Sequence, residues 1–288
     1  MRSAVFPKPA PRVCYNSRVL RLRIITGVIG IPLLVFSVAG GEPLFTIFLA
    51  LISAGCTIEL CQLAPGFRAR DPLFIMAITW AVLLSVRHHF PPQLGHGGLI
   101  TLFLILSLAL LLPIDGKRRS FVDWAWATGG ALYIGWLMGH WASLYLLPSG
   151  MILVLFAMFT TFGYDTGAFF TGRSLGRHKL APSLSASKTW EGVAGGLVSA
   201  LAIAALLHLV YSSYAGSFPL PMGITLLAGA IIAVAAQVGD LVESALKRSS
   251  HVKDAGSILP GHGGLLDRFD SLLFTGPVLF FFVLWVVG

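Results

Sequence analysis

The sequence predicts an all-α integral membrane protein of about nine transmembrane helices, with a polar cavity opening to the cytoplasmic face. Three observations carry this. Hydrophobic residues make up 56% of the 288 positions and charged residues only 11%, about half the charge share of an ordinary soluble domain. Apolar runs of about 20 residues, long enough to cross a bilayer, recur from Leu22 to Val287. The basic residues, finally, are confined to alternate connecting segments.

The spans are expected at roughly 22–40, 43–63, 72–86, 98–113, 122–147, 150–171, 192–212, 220–246 and 269–287. Backbone at membrane depth must satisfy its own hydrogen bonds, so each is read as a helix. The third is short and the fifth long. Residues 1–21 form a basic, proline-interrupted tail. The first apolar run lies behind several Lys/Arg, shows no clear small-residue cleavage site and is followed closely by the next run, so it is read as a retained span. Residues 22–147 then form an N-terminal transmembrane region. Residues 148–288 form a C-terminal catalytic region with loops 172–191 and 247–268.

With the N-terminus cytoplasmic, the inside segments are 1–21, 64–71, 114–121, 172–191 and 247–268. Counting Arg23 at the first boundary, they hold 19 of the 20 Lys/Arg, and only Arg87 falls outside. This bias fixes the orientation of the chain, and the membrane is expected to be the plasma (inner) membrane. The bias also accounts for the net charge of +8 without nucleic acid as a partner. Cys14, Cys56 and Cys61 have neither disulfide nor metal-ligand spacing. His88, His89 and His96 are read as parts of a solvated outside loop.

Chemistry-bearing residues gather in the two longest inside loops and the span ends that frame them. In "QVGDLVESALKRSS", Asp240, Glu243, Ser244 and Lys247 share one helix face. Acids at a span's end are expensive unless paired, metal-bound or hydrated. In "KDAGSILPGHGGLLDRFDS", Gly256, Gly261, Gly263 and Gly264 allow tight turns and an anion-binding backbone. Asp267 and Asp270 then open the last span, where helix capping is the competing explanation. In "GRSLGRHKLAPSLSASKTWEG", Arg173, Arg177, Lys179 and Lys188 alternate with Ser187 and Thr189, a mixture suited to phosphate oxygens. Asp165 stands inside the sixth apolar run. Hard carboxylate ligands, a cationic cradle and flexible backbone together suggest Mg²⁺-assisted phosphoryl or nucleotidyl transfer, with a second cation left open.

The run "SALKRSSHVKDAGSILPGHGGLLDRFD", Ser244 to Asp270, resembles the signature of the phosphatidate cytidylyltransferase (CDP-diacylglycerol synthase) family. The upstream "SASKTWEG" is similar to a second block of that family, although Ala186 and Ser187 depart from its common Ser-Pro-Lys-Lys-Thr form. The resemblance covers about 165–275. It implies transfer of CMP from CTP to phosphatidate with Mg²⁺, by a membrane-embedded homodimer.

On that reading Asp240 and Asp267 are the first candidates for metal ligands, with Glu243, Asp254 and Asp270 as direct or indirect partners. Asp240, Asp267, Lys188, Lys247, Arg268 and Asp254 would carry the catalysis. Arg177, Lys179, Ser187, Thr189, Arg248, Lys253, Gly261, His262, Gly263 and Gly264 would bind substrate. Two alternatives stay open: a cytidylyltransferase for another lipid phosphate, and an ion-coupled transporter. The transporter would be expected to place its carboxylates near the membrane midplane and to show internal repeats.

Overall fold

A computed structural model describes residues 30, 32–91, 95–112, 120–252, 254–256 and 263–287. Among the described residues, helices occupy the stretches expected to span, the first span being described only at residue 30 and from 32 onward. They are α1 (32–39), α2 (Glu42–Gln62), α3 (Pro72–Ser85), α4 (Gly95–Ala109), α5 (Phe121–Ala131), α6 (Leu137–Tyr145), α7 (Gly150–Leu175), α8 (Trp190–Tyr214), α9 (Met222–Ser249) and α10 (Leu266–Val287). A π-helical turn, Leu132–Trp136, joins α5 to α6. The long fifth apolar run is therefore one continuous rod with a bulge. Among the described residues five helices (α2, α7, α8, α9 and α10) are long and apolar enough to cross a membrane, whereas α3 and α4 are apolar but shorter.

One departure from an all-helical chain lies in loop 172–191. Helix α7 runs on to Leu175, and the rest folds back as an antiparallel hairpin, β1 (Lys179–Ala181) with β2 (Ser185–Thr189). Thr189 ends the hairpin and starts α8, its hydroxyl accepting from the Gly192 amide at 3.1 Å. That is an N-cap.

Helices α7 and α8 pack along a seam of small residues. A methyl at Gly163 would lie 2.7 Å from the Ile203 side chain, and one at Gly192 would lie 3.0 Å from the Ala168 carbonyl oxygen. Absent side chains let two membrane helices approach closely, which supplies packing where lipid offers no hydrophobic drive. Helix α10 carries Pro277 in its interior. The Trp141 indole of α6 donates to the Leu272 carbonyl at 2.9 Å, one residue before the Leu273 carbonyl that Pro277, lacking an N–H, cannot serve.

Among the described residues two large apolar clusters fill most of the bundle, with a small third around Tyr164, Ala200, Ala233 and Ala236. One is built on α2, α6, α7, α9 and α10, and includes Phe45, Leu60, Trp141, Phe156 and Leu273. The other packs α3, α4 and α5, around Phe74, Trp80 and Phe103. Helix α2 belongs to both, through Leu60 and Cys61. Arg87, the one basic residue that falls outside the inside segments, is 3% exposed. Its guanidinium donates to the carbonyls of Leu84 and Trp136 and lies 4.3 Å above the Trp136 ring. Burial lowers its pKa to about 10, which still leaves it charged at neutral pH.

Candidate active site

A cavity of about 980 Å³ opens between α7, α9, α10 and the hairpin. That is the upper end of the range for small-molecule sites, large enough for a nucleoside triphosphate and a second head group. Its lining includes Asp165, Ser187, Lys188, Thr189, Asp240, Glu243, Lys247, Arg248, Asp254, Asp267, Arg268 and Asp270. Residues separated by a hundred positions in the sequence thus share one space.

Three carboxylates meet at its floor. Asp240 and Glu243 project from one face of α9, and Asp270 from the start of α10, with one oxygen of each within 4.8 Å of the others. Gly239 makes this possible. A methyl there would lie 2.6 Å from the Asp270 carbonyl oxygen and 3.2 Å from the Ser271 Cα. The two backbones touch where the acids need to converge. Glu243 is 1% exposed, and three acids so close repel one another unless cations accompany them.

Two lysines supply part of that charge. Lys188 Nζ, from β2, is 2.7 Å from Asp240 Oδ1. Lys247 Nζ, one turn beyond Glu243, is 2.5 Å from Glu243 Oε2 and 2.7 Å from Asp267 Oδ1. The intrahelical Glu243–Lys247 pair suggested by spacing is present, but Lys247 also bridges to α10.

Asp267, paired with Asp240 from the sequence, is held differently. Besides Lys247 it accepts from the amides of Gly264 at 2.8 Å and Ala255 at 3.2 Å. It stands at the very start of α10, where its oxygens reach back into the glycine loop, so it secures that loop. Gly263 adopts a left-handed φ of 84° there, a conformation open to glycine at little cost.

Glu59 of α2 is the residue that sequence reasoning missed. It is fully buried, and its Oε2 accepts from the Leu266 amide at 2.8 Å. Its carboxylate packs directly against Gly256 and Gly264; a methyl at Gly264 would lie 2.6 Å from Glu59 Oε2. An acid inside an apolar run was the available signal. Gln237 was also missed: it lines the cavity one turn before Asp240 and accepts from the Tyr164 hydroxyl at 2.8 Å.

The remaining expected residues divide. Asp165, Ser187, Asp254 and Arg268 line the cavity. Thr189 lines it too, but its hydroxyl is engaged in capping α8. Arg248 donates to the Leu184 and Val252 carbonyls at 3.1 and 3.0 Å, tying the hairpin to the end of α9. Arg177 and Lys179 are exposed and do not line the cavity. The Arg177 and His178 amides donate to Glu191, whose carboxylate also pairs with the His178 ring at 2.6 Å. Gly263 and Gly264 shape the loop without lining the cavity. Lys253, Gly261 and His262 lie outside the described residues.

The donor set fits a hard divalent cation. Asp240, Glu243 and Asp270 offer oxygen ligands alone, with no sulfur or imidazole, the chemistry of Mg²⁺ beside substrate phosphates.

Polytopic helices around a cavity that pairs acids with lysines define a membrane enzyme for polyanionic substrates. Residues 21–286 match the Cytidylyltransferase family, and the chain belongs to that family. It is 37% identical over 265 residues to the phosphatidate cytidylyltransferase of Bacillus subtilis (strain 168), covering 91% of this chain and 97% of that protein. It is 32% identical over 263 residues to the phosphatidate cytidylyltransferase of Staphylococcus aureus (strain COL), covering 90% and 97%. It is also 40% identical over 191 residues to the uncharacterized protein YnbB of Escherichia coli (strain K12), covering 63% of this chain and 60% of that one.

Proposed function

We propose that this protein is a phosphatidate cytidylyltransferase, converting CTP and phosphatidate to CDP-diacylglycerol and pyrophosphate. The observation that carries the reading is the convergence of Asp240, Glu243 and Asp270 with Lys188 and Lys247 in one cavity. The two named relatives, each matched over nearly its whole length, support the choice of substrates.

The nucleophile is an oxygen of the lipid phosphomonoester. Its second pKa is near ~6, so it is largely ionised at neutral pH and needs no strong base. It attacks the α-phosphorus of CTP; a new P–O bond forms, the α–β P–O bond breaks, and pyrophosphate leaves with the electron pair. The obstacle is the approach of two polyanions, so positioning and charge neutralisation dominate. Lys188 and Lys247 hold phosphate oxygens, and Arg268 on the cavity wall assists. Asp240, Glu243 and Asp270 would hold Mg²⁺, which when bound neutralises phosphate charge. Asp267 and Glu59 keep the glycine loop against the nucleotide. Lys253, Gly261 and His262 are further candidates for substrate contact in that loop.

The same reading places nine spans in the plasma membrane, with the N-terminus and the cavity facing the cytoplasm, where CTP is found. The Lys/Arg distribution supports that orientation. Residues 22–147 are the scaffold half and 148–288 the catalytic half of each protomer of a homodimer.

Purified protein in mixed micelles, given Mg²⁺ and CTP, tests the acceptor. Phosphatidate should yield a CDP-lipid, and a polyprenyl phosphate should yield little. The reverse preference would transfer the reading to another lipid phosphate.

A further inference from the structure

We propose that Glu42, His88 and His89 bind a first-row transition cation of the zinc class, at the end of α2 remote from the cavity. Glu42 is the first residue of α2, and the two histidines lie in the 3₁₀ turn Arg87–His89 that follows α3. His88 Nε2 is 3.0 Å and His89 Nε2 3.2 Å from the same oxygen, Glu42 Oε1. One ligand atom from each residue lies within 4.8 Å of the others. Around zinc, bonds of about 2.0–2.1 Å in a tetrahedron separate ligand atoms by roughly 3.3 Å. The three groups therefore need only a small adjustment to coordinate one ion.

The surroundings favour a built site. The Thr46 hydroxyl donates to Glu42 Oε1 at 2.8 Å, the kind of outer contact that orients a metal-binding carboxylate. The His88 side chain is only 9% exposed, so its ring is held in place beside Glu42. Arg87, next in sequence, is locked to two carbonyls and the Trp136 ring, so the turn that carries the histidines is fixed. The two imidazole rings lie 4.1 Å apart, centre to centre.

Two imidazoles and a carboxylate suit zinc and its neighbours better than Mg²⁺ or Ca²⁺. With three protein ligands, a fourth position is left for solvent or a further ligand; the His89 side chain is 52% exposed. Glu42 and Glu59 are separated by about 25 Å along α2, at 1.5 Å per residue. This site and the acidic cavity are thus at opposite ends of one helix. A cation here would clamp the start of α2 to the end of α3 on the face opposite the cavity.

The test uses tag-free full-length protein in detergent, carrying Asp240→Asn to break the carboxylate cluster. Co²⁺ alone is titrated as a spectroscopic probe, followed by Zn²⁺ in competition. The expected result is about one equivalent of Co²⁺ with visible bands of tetrahedral intensity, displaced by Zn²⁺. His89→Ala and Glu42→Gln should each weaken binding at least tenfold. Zn²⁺ should raise the thermal midpoint of the histidine-intact protein and leave that of His89→Ala unchanged. No tetrahedral bands, or bands that survive both substitutions in folded protein, would overturn the proposal and leave a Glu–His hydrogen-bonded cluster.

Discussion

Glu59→Gln probes how the first half of the chain positions the chemistry of the second. Glu59 Oε2 accepts from the Leu266 amide at 2.8 Å, at the N-terminus of α10. The next residue, Asp267, holds Lys247 and the Gly264 amide. The amide replacement keeps side-chain volume but exchanges a charged acceptor for a neutral one. A buried hydrogen bond to a charged group is worth about 1.5–3 kcal/mol and a neutral one about 0.5–1.5, so the loss is about 1–2 kcal/mol. If half or more of that is expressed as misplacement of α10's first turn, kcat falls roughly twofold to thirtyfold. Glu59→Ala also opens a cavity and orphans the Leu266 amide, and should cost about 3 kcal/mol or more. The assay is CMP transfer per folded molecule, beside thermal unfolding in the same detergent. Glu59→Gln with wild-type turnover, or Glu59→Ala that loses stability while each folded molecule keeps full turnover, would refute the positioning argument.

Other outcomes are equally specific. Lys247→Met removes the cation shared by Glu243 and Asp267 and should lower initial transfer rates by about 100-fold, at the level of a lost electrostatic contact in a preorganised site. Asp270→Asn should raise the Mg²⁺ concentration for half-maximal activity by about tenfold or more, measured by metal titration at saturating CTP. Thr189→Val should lower stability by about 1 kcal/mol through the lost α8 cap, with the KM for CTP little changed; a large rise in KM would make the hydroxyl a substrate ligand instead. Trp141→Phe deletes the donor to the Leu272 carbonyl beside Pro277 and should lower the thermal midpoint in detergent, with a penalty of about 1–2 kcal/mol.

Helix positions were legible because lipid imposes a simple rule. Among the described residues each expected span overlaps a helix, five of them long and apolar enough to cross a membrane, and boundaries moved by a few residues where amphipathic ends extend beyond the apolar run, as in α7 and α9. The acid and base content of the cavity was legible too, since charge is rare enough in this chain to stand out. What periodicity could not convey was which charges meet. Asp267 and Asp270 are spaced to share a face, yet Asp267 turns to loop amides while Asp270 joins Asp240 and Glu243. That choice depends on the close approach of α9 and α10 at Gly239, a tertiary fact. Arg248 and Thr189 look like phosphate ligands by type but are engaged with local backbone. Arg87 shows the converse, an apparent loop charge that the π-helical turn draws inward. Glu59 escaped notice because its partner is more than 200 residues away, although an acid in an oily helix signals its own importance. The hairpin of loop 172–191 was hidden by its short strands, whose polar residues carry no strand periodicity.

The most direct measurement of the central claim is incorporation of label from α-labelled CTP into lipid. Protein is incubated with phosphatidate micelles and Mg²⁺, beside Asp240→Asn and a chelator control. The account predicts a labelled CDP-lipid with release of pyrophosphate, abolished by the chelator and reduced at least 100-fold by Asp240→Asn. Folded protein that leaves the lipid unlabelled, or an Asp240→Asn variant that transfers label at the wild-type rate, would contradict it.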